Sequence, residues 1–506
     1  FFFFFFFLRS ANRFLQPRHR VARRGKMASA KPDLHGVFYP NSVAVIGAYS
    51  NENTERLRWT GWLQSLGFKG RIYPINPHAS QILGLEAFRS VKDVPGSIDY
   101  AIIAVPRAAV LPALKECIEK GIPTVHIFTS GFAETGRPED KALQAEIVRV
   151  IANSNTRVIG PNCMGVYCPA GGLGFGGIMV GSEAAREPGS IAALSQSGSG
   201  MDSLFIPGIL VRGLRFSKVV SMGNCVDLGM EDFLEYVAED DETKHVFCYI
   251  EGIKDGRRFF EAVKRCAARK PVLVLKGGMT AAGARAASSH TAALAGSGQV
   301  WETLYKQARV LKVDSFEEAV DQLVALARLS ETRGRRVAIV GRGGGPAVAS
   351  TDTCERAGLS VPLLADETRR KILELLPAEG SCLSNPVEVG ITGRGRISEH
   401  YYDVLSLVAD DPNIDILLIR INLEVPARVV RIGDEQIKEY VDIWSRAARS
   451  LPKPLAVVFD RGEYWEPIQL AYRMREACSK AGVASFPSVE SATRAIAKSI
   501  QYYESR

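Results

Sequence analysis

Short apolar runs recur along this chain, and between them apolar residues return every three to four positions. The runs Ser42-Val-Ala-Val-Ile-Gly47, Arg71-Ile-Tyr-Pro-Ile75, Tyr100-Ala-Ile-Ile-Ala-Val105 and Thr124-Val-His-Ile-Phe128 have the length and continuous apolarity of buried strands. The stretch 107–120 between the third and fourth has helical periodicity. This alternation predicts a parallel sheet covered by helices on both faces, ending near Gly160-Pro-Asn-Cys163. A second series follows the Gly-rich loop 171–189. Its strands are Ser190-Ile-Ala-Ala-Leu194, Lys218-Val-Val-Ser221, Val246-Phe-Cys-Tyr-Ile250 and Pro271-Val-Leu-Val-Leu275, with helices expected at 201–206 and around 297–308. Arg328 to Arg336 reads as a charged linker. Beyond it lie Arg336-Val-Ala-Ile-Val-Gly341, Ile414-Asp-Ile-Leu-Leu-Ile-Arg420 and Pro454-Leu-Ala-Val-Val-Phe459. The expected fold class is α/β, as three consecutive doubly wound parallel-sheet domains over 36–165, 185–328 and 336–500.

Length agrees, since 506 residues hold about three domains of roughly 150. Nine Cys without a CxxC pair read as free thiols in a reducing compartment, hence a cytoplasmic protein. Residues 1–26 stand apart. Seven Phe and Leu8 make an apolar run far short of the ~18 residues that cross a bilayer. Seven basic residues follow (Arg9, Arg13, Arg18, Arg20, Arg23, Arg24 and Lys26), and removing them from the net +8 leaves +1 for the body. This leader reads either as a mitochondrial presequence, which would put the protein in the matrix, or as translated untranslated sequence before a start at Met27. A near-neutral body gives no footprint for nucleic acid.

The most distinctive chemistry is one histidine among small residues, Gly283-Ala-Arg-Ala-Ala-Ser-Ser-His290-Thr-Ala-Ala-Leu-Ala-Gly296. No second His, Cys or acid lies nearby, so a metal site is disfavoured and none is expected. Small neighbours leave room for the backbone to move and for a bulky group on the ring. Ser195-Gln-Ser-Gly-Ser-Gly200 follows a strand and opens a helix, where free N–H groups and about half a positive charge suit an anion. A plain turn with Ser as helix cap is the bland alternative. Glu251 ends a strand, where open α/β sheets hold ligands, and could fix the tautomer of a histidine. The loop after Ser42–Gly47 lacks the glycines of a dinucleotide site, which disfavours a nicotinamide cofactor.

These motifs together resemble the nucleoside-diphosphate-forming acyl-CoA synthetases of the succinyl-CoA synthetase superfamily. The run around His290 is similar to that family's phosphohistidine loop. Ser221-Met-Gly-Asn224 with Asp227 resembles its Gly-Asn-x-x-Asp turn, and Gly341-Arg-Gly-Gly-Gly-Pro346 with Ser384-Asn-Pro-Val387 its third domain. The resemblance covers about residues 36 to 500. It implies a Rossmann-like CoA-binding domain followed by two flavodoxin-like ligase domains. By that resemblance His290 would be phosphorylated, Glu251 would orient its ring, and Ser197, Gly198 and Ser199 would hold the phosphoryl group. CoA would lie along Gly47, Ser50, Asn76, His78, Val105, Pro106, Thr129, Ser130 and Asn162. No segment after residue 336 reads as an ATP-grasp module, and no Walker A pattern occurs. ATP/ADP with Mg2+ would therefore sit on a separate β-type ATP-grasp chain. The chain departs from the family at Ala292 (usually Gly), His78 (often Lys) and Met279 (commonly Arg), and its segment 51–60 is bulkier than expected. Those departures bear on CoA affinity and acyl choice, and they favour the main rival, a non-catalytic CoA-binding regulatory or scaffold protein. An acyltransferase would need a further module, and the intact His290 and Glu251 argue for catalysis.

Overall fold

The computed structural model describes residues 34–49, 59–176, 182–290 (backbone only for 286–290), 298–329, 331–376, 383–389, 400–424, 427, 432–460 and 464–506. The leader, Ser50 and Ala292 lie outside the described residues, as does all but the end of the segment 51–60.

The first sheet is built from β1 (Ser42–Ile46), β2 (Arg71–Ile75), β5 (Tyr100–Ile103), β6 (Thr124–Ile127) and β7 (Arg157–Ile159), and a separate small hairpin, β3 (Gln81–Ile82) and β4 (Leu85–Glu86), follows β2. Its parallel order is β2-β1-β5-β6-β7. Every residue of β1, β5 and β6 is buried, because helices such as Arg107–Glu119 and Pro138–Ala152 cover both faces. The second sheet holds β8 (Gly165–Tyr167), β9 (Ile191–Ser195), β10 (Phe216–Ser221), β11 (His245–Ile250), β12 (Val272–Lys276) and β13 (Leu311–Val313), in the order β13-β12-β11-β9-β10-β8. The third is β14 (Val337–Gly341), β15 (Ile416–Ile421), β16 (Leu455–Phe459) and β17 (Ala484–Phe486) in sequential order. Among the described residues no helix is long and apolar enough to cross a membrane.

β8 runs antiparallel to β10 at the edge of the second sheet, directly after the last strand of the first. The two units therefore share a seam. Asp227 accepts from the Arg157 guanidinium at 2.8 Å and from the Val158 amide at 2.9 Å. Gly223 adopts φ +50°, and a Cβ there would fall 2.2 Å from the Asn162 carbonyl oxygen, so only glycine fits this approach.

The charged stretch from Arg328 to Arg336 lies at a second seam. Arg328 closes the helix Phe316–Arg328 and donates to the carbonyls of Ser479 and Val483, at the end of the helix Trp465–Lys480. Arg212 reaches Asp321 at 2.8 Å and the Ser485 carbonyl at 2.6 Å. Arg336 pairs with Asp415 in the third unit.

His126 on β6 is buried, bonded through Nε2 to the Cys163 carbonyl at 3.1 Å, and packed edge-on against Trp59. Burial pulls its pKa down to about 4, with the Cys163 contact opposing. The folded state thus takes up the proton less readily than the unfolded chain. Stability is full above pH ~6.5 and falls as pH drops towards 4, by up to about 3 kcal/mol. Urea midpoints of the wild type should decline from pH 6.5 to 5, and His126→Leu should flatten that slope whatever its stability at pH 7.

Candidate active site

In open α/β sheets ligands collect outside the carboxyl ends of the strands, where the chain reverses its direction of travel across the sheet. In the first sheet that point lies between β1 and β5. Gly47 ends β1 and Ala104–Pro106 follow β5. Gly47 has φ +89°, and a Cβ would lie 2.4 Å from the Ala104 carbonyl oxygen, so the two strand exits touch through bare backbone. Pro106 precedes the helix Arg107–Glu119. Asn76 follows β2. Its amide donates to the Ala48 carbonyl at 2.8 Å while its oxygen accepts from the His78 amide at 2.8 Å. Thr129 donates to the Val105 carbonyl at 2.7 Å, and Asn162, at φ +60°, donates its amide to the Thr129 carbonyl at 3.0 Å. Gly47, Asn76, His78, Val105, Pro106, Thr129, Ser130 and Asn162 thus line one edge. The side chains of Asn76 and Thr129 are engaged by backbone and shape that edge, whereas His78 and Ser130 are exposed.

The second sheet reverses between β9 and β11, whose registers pair Ser195 with Tyr249. This places the Ser195–Gly200 turn beside Glu251. The Ser197 hydroxyl accepts from the Gly200 amide at 3.2 Å, capping a helical run that continues to Val211 through one wide turn at Met201–Phe205. The amides of Gly198 and Ser199 open this helical run, where a helix offers them no internal acceptor. Packing also demands the small residues: a Cβ on Gly200 would meet Phe316 at 2.8 Å, and one on Gly198 would meet Met164 at 2.9 Å.

Gln196 couples the two strand ends. Its oxygen accepts from the amides of Glu251 (2.6 Å) and Gly252 (2.9 Å), and its nitrogen donates to the Gly252 carbonyl at 2.7 Å. The Tyr249 hydroxyl donates to Glu251 Oε1 at 3.3 Å, two residues along the strand and hence on the same face. Burial, reinforced by the Glu251 charge, pushes the Tyr249 phenol up to about 12. Tyr249 therefore stays a donor at neutral pH.

β12 ends in Lys276, next to the glycines 277 and 278. The helix Ala281–His290 follows and ends on His290, whose side chain lies outside what the structure describes. The backbone of this helix lies against Ala133–Thr135 of the first unit. That segment is fixed by Glu134, whose carboxylate accepts from the amides of Gly131 and Phe132 and from the Asn224 side chain. The helix that ends at His290 thus follows β12 and packs against a segment that Glu134 ties to Gly131. Gln196, Tyr249, Lys276 and Glu134 were not singled out from sequence. Gln196 sat inside the Ser195–Gly200 motif, and Lys276 was the one charge closing an apolar run.

Residues 188–326 match the succinyl-CoA ligase like flavodoxin domain, and residues 41–169 match a CoA binding domain. The chain is 37% identical over 385 residues to the acetate–CoA ligase [ADP-forming] II subunit alpha of Pyrococcus furiosus, covering 75% of this chain and 80% of that one. It is 38% identical over 390 residues to acetate–CoA ligase [ADP-forming] I of Archaeoglobus fulgidus, covering 76% of this chain but only 54% of that longer one. The solved structure of the Ca. Korarchaeum cryptofilum dinucleotide forming acetyl-coenzyme A synthetase 1, in complex with phosphate and ADP, aligns with a TM-score of 0.78 at 30% identity. It covers 94% of this chain and 97% of that one.

Proposed function

The chain belongs to the ADP-forming acyl-CoA ligases of the succinyl-CoA synthetase superfamily, and from that premise we propose that it is the α-type subunit of an acid–thiol ligase. It would interconvert acyl-CoA, phosphate and ADP with carboxylate, CoA and ATP. A phosphate oxygen attacks the thioester carbonyl, the C–S bond breaks, and CoA leaves with a proton. An imidazole nitrogen of His290 then attacks phosphorus in the acyl phosphate. The P–O bond breaks, the carboxylate departs, and the phosphoryl group stays on His290. ADP takes it up to give ATP and free the ring.

Each described residue has a share in this scheme. Glu251 would accept from the ring N–H opposite the attacking nitrogen, setting the tautomer and stabilising the charge that builds on the ring. The free amides of Gly198 and Ser199, with Ser197 as cap, would hold phosphoryl oxygens at a helix start. CoA would occupy the first-sheet edge from Gly47 to Asn162, with the backbone of Gly47 close to the ligand. The observation that carries this reading is the reversal between β9 and β11. It puts the Ser195–Gly200 turn and Glu251 on adjacent strand ends joined through Gln196, while the next strand leads to His290.

Nucleotide and Mg2+ would be held by a separate ATP-grasp chain. The printed alpha-subunit name of the Pyrococcus relative, 80% of whose length this chain covers, supports that division. The test is phosphohistidine mapping. The purified chain is incubated with labelled inorganic phosphate and a panel of short, branched, aryl and dicarboxylic acyl-CoAs. Acid-labile, base-stable label on His290 is the expected result, and the best acyl-CoA identifies the acid. CoA binding without any label would leave the regulatory reading instead.

A further inference from the structure

Lys276 is the last residue of β12 and only 6% exposed, yet no carboxylate lies within ion-pair distance of it among the described residues. A buried ammonium with no carboxylate in ion-pair contact is costly, and an apolar side chain of similar length would fill the space without that cost. Its contacts are two carbonyls and a ring face. It donates to the carbonyl of Glu251 at 3.0 Å and to the carbonyl of Gly277, and it lies 5.5 Å over the ring of Trp301. Those partners are the turn that bears Glu251, the start of the segment leading to His290, and the helix Gly298–Ala308 that follows it.

We propose that Lys276 is a positioning residue for phosphoryl transfer: its ammonium ties the Glu251 turn to both roots of the segment that carries His290. The inference rests on His290 being the phosphorylated residue. A segment that must deliver a phosphoryl group needs fixed anchors, since a misplacement of about 1 Å can cost on the order of 10²-fold in rate. An ammonium suits the task because it is a compact charge with several donors, so it can hold two carbonyls and a ring face at once. Burial lowers its proton affinity below that of an ordinary lysine, and the Glu251 carboxylate opposes this. Another titratable group at this corner is Tyr249, bonded to Glu251 and close to Gly277.

The experiment measures the rate of His290 labelling from inorganic phosphate, using the acyl-CoA that labels the wild type best, across pH. Lys276→Met should cut that rate by about 10²-fold while CoA binding changes less than about twofold. Lys276→Arg should recover most of the loss. It should also move the alkaline limb of the profile upward by about one pH unit or more, because a guanidinium keeps its proton above pH ~12. An unlabelled wild type overturns the phosphohistidine reading and this inference with it. A labelled wild type with undiminished K276M label overturns this inference alone. If K276M does not fold, K276R decides: an unmoved alkaline limb overturns the proposal, since purely structural packing would leave the limb in place.

Discussion

Replacing His290 with alanine is expected to abolish turnover, by on the order of 10⁴-fold or more, and to remove the acid-labile label entirely. The size follows from covalent catalysis: without the ring nitrogen there is no acceptor for the phosphoryl group, and no neighbour in the run Ala286 to Gly296 can replace it. Alanine is a strong helix former, so the helix Ala281–His290 should persist and the melting transition should stay close to that of the wild type. Formation of acyl phosphate and free CoA from acyl-CoA and phosphate should survive, because that step needs only the CoA edge and the phosphate turn. Turnover of H290A within tenfold of wild type would remove the phosphohistidine from the scheme.

Glu251→Gln should give the second largest effect, a loss of about 10²–10⁴-fold in phosphoryl transfer with the KM for CoA unchanged. The substitution keeps shape and leaves the main-chain bonds to Gln196 and Lys276 in place. It removes the charge and offers the ring a donor where an acceptor is needed, so the tautomer is no longer enforced. Steady-state kinetics with both subunits, together with the rate of His290 labelling, separates the two quantities. An equal loss in CoA binding would instead mark Glu251 as part of the CoA edge.

Much of this was legible in the chain. Strands buried on both faces announce themselves as unbroken apolar runs such as Val272–Leu275. The strands β7, β8, β13 and β17 have only three residues each, too few for a periodic pattern to develop. They are placed by their neighbours rather than by their own composition. The motif residues were legible too, since His290, Glu251 and the Ser195–Gly200 turn carry chemistry in their side chains or their smallness. Gln196, Tyr249 and Lys276 were not, because their meaning lies in which backbone groups they reach.

By itself the sequence determined the class of fold, the family, and the residue types available for phosphoryl transfer, because burial pattern and local backbone demands act over a few neighbouring residues. Only the tertiary structure decided what those residues face. Strand order put Ser197 beside Glu251, 54 positions later, at a reversal that no local pattern encodes. It set the charged stretch that begins at Arg328 at a seam, because the Arg328 guanidinium reaches buried carbonyls at 479 and 483. It also buried Lys276 against two carbonyls and a ring. The physical reason is common to all three: pairing across a sheet joins residues far apart in the chain, and the desolvation it imposes decides whether a polar group is a solvated surface feature or a held part of a site.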